Sequence, residues 1–238
     1  MAKASGGSQR GGRRPARTSA GTAARKSPAK KPMAAPETVS VPAGPLRVGA
    51  APGATPGTWI DRWRERMPGT PLQLVPLTLS GQRDALLSET VDVALVRMPI
   101  ESDGLHIIPL YAEMPVVVCA SDSHLTAADE LRLADLAGEV VIVSRDAILT
   151  PDVPDTATGA FAPPETTEDA IALVATGIGI VIVPMSLARL HHRRDTAWRP
   201  LADGSLTPVG IAWRKDADSA LVDTFVGIVR GRTANTSR

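Results

Sequence analysis

Cysteine and aromatic residues are scarce in this 238-residue sequence. The only cysteine, Cys119, excludes an internal disulfide bond and is compatible with a reducing compartment. It lies in the strand-like run 116–120, where a small buried hydrophobic residue is expected rather than a nucleophile. Aromatic residues make up 3% of the chain and hydrophobic residues 43%, so we expect a core built from aliphatic side chains.

The sequence also lacks any apolar run long enough to span a bilayer. Between Lys3 and Lys31, basic residues are scattered without the hydrophobic segment that a signal peptide needs. We therefore expect no membrane partner and a cytoplasmic location, with association with the nucleoid left open.

Sequence motifs of catalysis are missing as well. There is no Gly-x-Ser-x-Gly elbow, no Walker loop and no paired-carboxylate motif. His191 and His192 are adjacent, so a helix would point them in different directions instead of pairing them one turn apart on a metal. His106 and His124 are isolated in the sequence. The sequence therefore predicts no enzymatic activity, no metal site and no cofactor.

Charge is distributed unevenly along the chain. Residues 1–45 carry nine Lys and Arg against one Glu, whereas the remainder carries 17 basic and 24 acidic residues. The first 45 residues contain few large apolar side chains, so burial cannot offset the entropy of ordering them. We predict that residues 1–45 form a disordered basic arm.

Two fragments of the arm resemble nucleic-acid-binding sequences. Residues 12–15, Gly-Arg-Arg-Pro, resemble an AT-hook core without its Arg-Gly-Arg alternation, and residues 27–32 resemble the repeats of linker-histone tails. Salt-sensitive, non-specific DNA contact is one hypothesis for the arm. An inert solvated tail is a second, and a transit peptide is a third. The candidate cations are Arg13, Arg14, Arg17, Lys26, Lys30 and Lys31.

The remaining sequence alternates strands and helices at its start. Strands are predicted near residues 46–52, 72–77 and 91–96. Between them, Thr58-x-x-Asp61 predicts the start of one helix, and residues 80–82 lead into another. This rhythm predicts right-handed crossovers and a parallel sheet. Two strands without an intervening helix follow Leu105, a further strand is predicted over residues 140–143, and residues 207–213 and 221–229 form the last strand and helix.

Residues 166–184 carry the most informative pattern. Thr166 and Asp169 have the spacing of a capping box ahead of a short apolar helix. Gly177 suits the left-handed residue past the helix end. Residues 180–183 are a β-branched run typical of a buried strand, and Pro184 ends it.

This run, from Leu173 through Gly177 and Gly179 to Pro184, resembles the second lobe of the effector-binding domain of bacterial LysR-type transcriptional regulators. The resemblance extends over roughly residues 46–230 by the order of strands and glycines. It implies an α/β, two-lobed type 2 periplasmic-binding-protein-like fold. Residues 46–112 and 207–230 would form lobe I, residues 113–206 lobe II, and residues 231–238 a frayed tail. The usual winged helix-turn-helix domain is not seen before residue 46, where no helical apolar periodicity exists.

The resemblance also implies partners. They are a small organic effector bound between the lobes and a second copy of the chain, arranged as an antiparallel homodimer through the first helix. The face carrying Trp59 and Trp63 would then be core or dimer interface, and a partly exposed tryptophan would favour the interface. The main alternative is a stand-alone small-molecule sensor without a role at DNA.

Candidate ligand contacts are placed where strands end or helices begin. Unpaired N–H groups and hydroxyls at such positions suit a small carboxylate, so we expect an anionic effector. Each hydroxyl taken alone has a second interpretation as a helix cap. The predicted ligand-binding residues are Thr55, Thr58, Ser80, Gln82, Arg97, Ser144, Thr166 and Thr167.

Overall fold

The computed structural model describes residues 44–157 and 159–231. The chain divides into two units, Met1–Val39 and Ser40–Arg238, and the described residues belong to the second. The six candidate DNA-contacting cations lie outside the described residues, as do the predicted arm up to residue 43 and the predicted tail from residue 232. No described helix is both long and apolar enough to cross a membrane.

The described residues form eight strands and five α-helices. They also form two short 3₁₀ turns, His124–Ala127 and Leu133–Leu136. The strands are β1 Leu46–Ala50, β2 Leu72–Pro76, β3 Val93–Arg97, β4 Leu105–Glu113, β5 Pro115–Ala120, β6 Val181–Pro184, β7 Thr196–Pro200 and β8 Thr207–Arg214. The helices are α1 Gly57–Arg66, α2 Gln82–Leu87, α3 Thr167–Val174, α4 Met185–Leu190 and α5 Ala220–Val229.

Five strands form the sheet of lobe I in the order β2-β1-β3-β8-β4. β1 pairs in parallel with β2 and β3, which confirms the parallel arrangement predicted for the first three strands. β8 runs antiparallel between β3 and β4, so the chain returns to this sheet after building lobe II. The carboxyl ends of β1, β2 and β3 therefore meet at one edge of lobe I.

Helices α1 and α5 pack together on one face of this sheet. Trp63 of α1 and Phe225 of α5 are buried in an edge-to-face contact with ring centroids 6.0 Å apart. The indole Nε1 of Trp63 donates to the carbonyl of Thr70 at 2.9 Å, so burial leaves no unpaired donor there. Trp63 is thus core, whereas Trp59 is only partly buried against the same cluster.

The start of α1 differs from the sequence prediction. The helix begins at Gly57 after Pro56, and no side chain caps it. Thr58 therefore lies inside the first turn, and Asp61 pairs with Arg64 at 3.1 Å instead of closing a capping box. The physical reason is Pro56, whose ring restricts φ to the helical range and starts the helix two residues early.

Lobe II is built on an antiparallel sheet of three strands in the order β6-β5-β7. All residues of β5 and β6 are buried, as expected for strands covered on both faces. Cys119 is one of them, which confirms its place in the core. The chain crosses between the lobes twice, at Met114 between β4 and β5 and again between β7 and β8, so the two-lobed fold is confirmed.

The stretch 166–184 folds largely as predicted. The hydroxyl oxygen of Thr166 accepts the backbone N–H of Asp169 at 3.1 Å, and Gly177 adopts φ +79° just past the helix. Gly179 is needed for another reason, because a Cβ there would overlap the carbonyl oxygen of Val140. The prediction of a strand over residues 140–143 is wrong, because Val140 and Val141 form only isolated β-bridges. Pairing is short because the chain turns away at Ser144, whose carbonyl accepts from Ala147 at 3.2 Å.

Candidate functional site

A cavity of about 1040 Å³ lies between the two lobes. Lobe I supplies residues 50–55 at the end of β1 and residues 74, 76 and 77 at the end of β2. The crossing segment supplies residues 112–114, and α4 of lobe II supplies residues 185, 186, 189 and 190. Any change in the angle between the lobes would alter the volume of this cavity.

The cavity wall is mainly Ala, Pro, Leu and Met, and four side chains bring polar groups to it. They are the hydroxyls of Thr55 and Ser186, the carboxylate of Glu113 and the guanidinium of Arg189. Arg189 is exposed at the rim, and no ion pair or hydrogen bond engages its side chain in the part of the chain that the structure describes. The cavity therefore offers an apolar interior and an available cation at its edge.

Arg97 forms a buried network beside this cavity. It is the last residue of β3 and is 1% exposed. Its Nε donates to the carbonyl of Pro52 at 2.9 Å, and its Nη2 donates to Glu113 Oε2 and Ser186 Oγ, each at 3.0 Å. The hydroxyl of Ser186 in turn donates to Glu113 Oε2 at 2.8 Å. Lobe I, the crossing segment and lobe II thus meet at one guanidinium.

Gln82 holds the backbone of Arg97 in place. The Gln82 side-chain oxygen accepts the N–H of Arg97 at 2.6 Å, and its amide nitrogen donates to the carbonyl of Leu79 at 2.8 Å. Both polar ends of this buried amide are therefore satisfied inside lobe I. Gln82 fixes the end of β3 and does not line the cavity.

Partial desolvation and nearby charges act on Tyr111, which lies two residues before Glu113 in β4 and is 38% exposed. Desolvation raises the pKa of the Tyr111 phenol, and the negative charge of Glu113 raises it further. The positive charge of Arg97 acts in the opposite direction with a smaller effect. Tyr111 therefore reports on the charges of the Arg97 network.

Gly53 sets the distance between the lobes at this network. Its φ is +76°, a conformation that favours glycine. A Cβ on Gly53 would overlap Ser186 Oγ and would lie 2.8 Å from Arg97 Nη2 and 3.1 Å from Leu187 Cδ2. The loop after β1 can contact α4 of lobe II only because this position has no side chain.

Ser144 and Thr167 lie close together in lobe II. Both are buried, and both hydroxyls donate to Oδ1 of Asp146, at 2.7 and 2.9 Å. Their oxygens are 3.3 Å apart. Both hydroxyls were predicted to contact a ligand, and both thus already donate hydrogen bonds to a carboxylate of the chain itself.

The structure brings the eight predicted ligand contacts together only in part. Of these residues, Thr55 lines the cavity. The side chain of Arg97 forms hydrogen bonds with three groups at the edge of the cavity, and Gln82 accepts a hydrogen bond from the backbone of Arg97. Ser144 and Thr167 form the pair in lobe II, and Thr166 caps α3. Thr58 and Ser80 are exposed and do not line the cavity. Ligand contact by each of the eight stays a prediction.

Sequence reasoning missed Glu113 and Ser186. Glu113 is the charged residue between two strand-like segments, at the point where the chain crosses between lobes, and that position could have identified it. Ser186 follows Pro184 in the first turn of α4 and carries no comparable signal in the sequence. No cluster of three or more His, Cys, Asp or Glu suited to a metal ion occurs among residues 44–157 and 159–231.

Comparison with known proteins places this architecture in a family. The model of the LysR substrate binding domain matches residues 40–234. The HTH-type transcriptional regulator CatR of Pseudomonas putida is 30% identical over 169 residues, which cover 66% of this chain and 57% of that protein. The HTH-type transcriptional regulator BudR of Raoultella terrigena is 29% identical over 176 residues, covering 69% and 60%. The chain thus spans less than two thirds of the length of these curated relatives.

Solved structures share the fold. The BenM effector binding domain with its effector benzoate superimposes with a TM-score of 0.67 at 20% identity, covering 82% of this chain and 96% of that chain. Full-length CbnR complexed with its target DNA gives a TM-score of 0.64 at 22% identity, covering 79% and 70%. Both of these relatives are named as transcriptional regulators, which agrees with the predicted lack of enzymatic activity. With the family model matched from residue 40 to residue 234 and the two-lobed fold present, this chain belongs to the LysR substrate binding domain family.

Proposed function

We propose that the chain is the effector-binding module of a transcriptional regulator and binds a small organic anion in the cavity between its lobes. The observation that carries this proposal is the apolar cavity with the available Arg189 guanidinium at its rim. An apolar wall buries the body of a ligand, and a few placed polar groups orient it. A guanidinium suits a carboxylate because its N–H groups match the two oxygens.

The shape of the cavity favours a ligand with an apolar body and a carboxylate. Ala, Pro, Leu and Met side chains surround the interior, while Thr55 offers a hydroxyl. The structurally similar BenM domain is described with benzoate as its effector, a molecule of this type. We use benzoate as the probe of this chain, without assigning it as the natural effector.

Binding would act on the angle between the lobes. A ligand that contacts both residues 50–55 of lobe I and α4 of lobe II favours the arrangement in which both contacts form. Two segments connect the lobes, which is the arrangement that hinge rotation requires. Such a rotation in a regulator would change how its subunits are placed on DNA.

Calorimetric titration with benzoate tests the cavity. Wild-type chain should bind, and Arg189→Ala should weaken binding about tenfold or more, because a charged hydrogen bond contributes about 1.5–3 kcal/mol. Arg194→Ala is the matched control, since Arg194 is also an exposed arginine near the end of α4 but does not line the cavity. Equal weakening by the two substitutions, or binding that neither affects, would refute the proposed position of the anion.

We further propose that the chain forms a homodimer through the apolar surface beside α1 and α4. Leu74 of β2 and Leu190 of α4, which also line the cavity, are 46% and 62% exposed, and Trp59 of α1 is only partly buried. Sedimentation equilibrium should show a dimer that Leu190→Asp dissociates. The same substitution at Leu206, which is 58% exposed elsewhere in lobe II, is the control.

Regulation of transcription requires a connection to DNA. The basic residues between Lys3 and Lys31 support a non-specific, salt-sensitive contact. The full chain should be retained on DNA at low salt and lose retention when residues 1–45 are deleted. No retention of the full chain at low salt would favour the second candidate, a small-molecule sensor whose basic segment has no role at DNA.

A further inference from the structure

The positive charge of Arg97 is balanced by a carboxylate that lies outside the lobe I core. Arg97 is 1% exposed, and its partners in the loop after β1 and in α2 are the carbonyl of Pro52 and the amide of Gln82, which are neutral. The only ion pair of Arg97 among the described residues is with Glu113, which is 11% exposed at the crossing between the lobes. A buried guanidinium without a carboxylate is strongly destabilising, so this position must hold an anion.

Glu113 does not use all that Arg97 offers. Its Oε2 accepts from Nη2 and from Ser186 Oγ, while Arg97 Nη1 is buried and has no hydrogen-bond partner among the described residues. A guanidinium can bind a carboxylate through two parallel N–H···O bonds, and the tethered Glu113 makes one. A free carboxylate is not restrained by the backbone and could satisfy Nη1 as well.

The position is also close to the cavity. The cavity wall includes Pro52, Glu113 and Ser186. Each of these residues forms a hydrogen bond with Arg97 or with a hydrogen-bond partner of Arg97. An anion that enters the cavity therefore meets Glu113 and Ser186 before it meets Arg97. Arg189 lies at the rim and is not part of the network, so the two cations form separate anion positions.

We propose that Arg97 and Ser186 form a second carboxylate-binding site, which the chain fills with its own Glu113 and which a small carboxylate can occupy when Glu113 leaves it. Occupation by an external carboxylate releases Glu113 from both Arg97 and Ser186. The crossing segment then loses its bond to α4 of lobe II. This site is independent of ligand binding at Arg189.

Chemical rescue of Glu113→Ala tests the site. The substitution removes the carboxylate and should lower the melting temperature of the full chain. Sodium acetate should restore the melting temperature by about 5 °C in a saturable manner, and sodium chloride at equal ionic strength should not. Glu101→Ala is the matched control, because Glu101 also pairs with an arginine, Arg83, at 3.3 Å but is 71% exposed; acetate and chloride should affect this variant and the wild type equally.

Two further variants locate the effect. Glu113→Ala combined with Arg189→Ala should keep the acetate rescue, which excludes the rim arginine as its origin. Glu113→Gln should also lose stability, because its amide carries no charge, but it should show no rescue, because the amide fills the position. If Glu113→Ala does not fold in chloride, its refolding from urea is compared in the two salts, and recovery in acetate alone supports the site.

The inference is overturned if acetate and chloride act equally on Glu113→Ala, or if the rescue disappears with Arg189. Neither result bears on benzoate binding by the wild type, so the proposed function can fail or stand separately.

Discussion

Replacing Gly53 by alanine should force the lobes apart, and the structure allows its cost to be divided into two parts. The left-handed backbone at φ +76° costs an alanine about 1–2 kcal/mol. The added methyl group would overlap Ser186 Oγ and lie 2.8 Å from Arg97 Nη2. Overpacking of this kind costs about 1–3 kcal/mol, so the total loss of stability should be about 2–5 kcal/mol.

Gly177→Ala isolates the backbone part of that cost. Gly177 has almost the same φ, +79°, and nothing lies within 4 Å of a Cβ built on it. Urea denaturation should therefore show a loss of about 1–2 kcal/mol for Gly177→Ala. The difference between the two variants measures the contact between the loop after β1 and α4 of lobe II.

Ser186→Ala provides a second check, because it removes the atom that the new methyl group would overlap. In the Gly53→Ala background this substitution should cost less than it does alone, and a double-mutant cycle should give a coupling free energy of about 0.5–3 kcal/mol. Small-angle scattering should show a larger radius of gyration for Gly53→Ala. Equal destabilisation by Gly53→Ala and Gly177→Ala would refute the idea that Gly53 sets the contact between the lobes.

Three further predictions can be tested by measurements on the chain without a ligand. Tyr111 is the only tyrosine of the chain, so phenolate absorbance should give its pKa directly: above 10.0 in the wild type, and closer to that value in Glu113→Gln. Because the folded-state pKa is raised, the stability contributed by Tyr111 is present below pH about 10 and is lost as pH rises through the folded-state pKa. An unchanged absorbance titration in Glu113→Gln would contradict the assigned charge effect. Burial raises the pKa of the Cys119 thiol, so a disulfide reagent should label it in urea but only slowly in the native chain; fast native labelling would contradict its burial. Thr166→Ala should cost about 1 kcal/mol in urea denaturation through loss of the α3 cap, whereas Thr166→Ser should cost much less.

Much of the fold could be predicted because its signals are local. The cap of α3 depends on Thr166 and Asp169, which are three residues apart, and the turn at Gly177 depends on one φ angle. The buried run of β6 needs only its own β-branched residues. The helix start at Gly57 was mispredicted for an equally local reason, since Pro56 outweighed the Thr58 and Asp61 pattern.

The candidate site depended on contacts that a linear pattern does not contain. Thr55 and Arg97 were proposed from their places after strands, but their surroundings follow from residues far away in sequence. Arg97 forms a hydrogen bond with Ser186, which lies 89 positions away in the sequence, and Ser144 contacts Thr167, which lies 23 positions away. Asp146, which accepts from both of the latter hydroxyls, had no feature in the sequence that distinguished it from a solvated loop carboxylate.

The sequence alone determined the class of the fold and much of the order of its strands and helices, because periodicity, caps and glycine turns act over a few residues. The family was indicated by the resemblance of residues 173–184. Only the tertiary structure decided that Glu113 neutralises Arg97, that Gly53 allows the lobes to touch and that the cavity is mainly apolar. These features arise where two lobes meet, and the free energy of a buried charge depends on every group that folding brings around it.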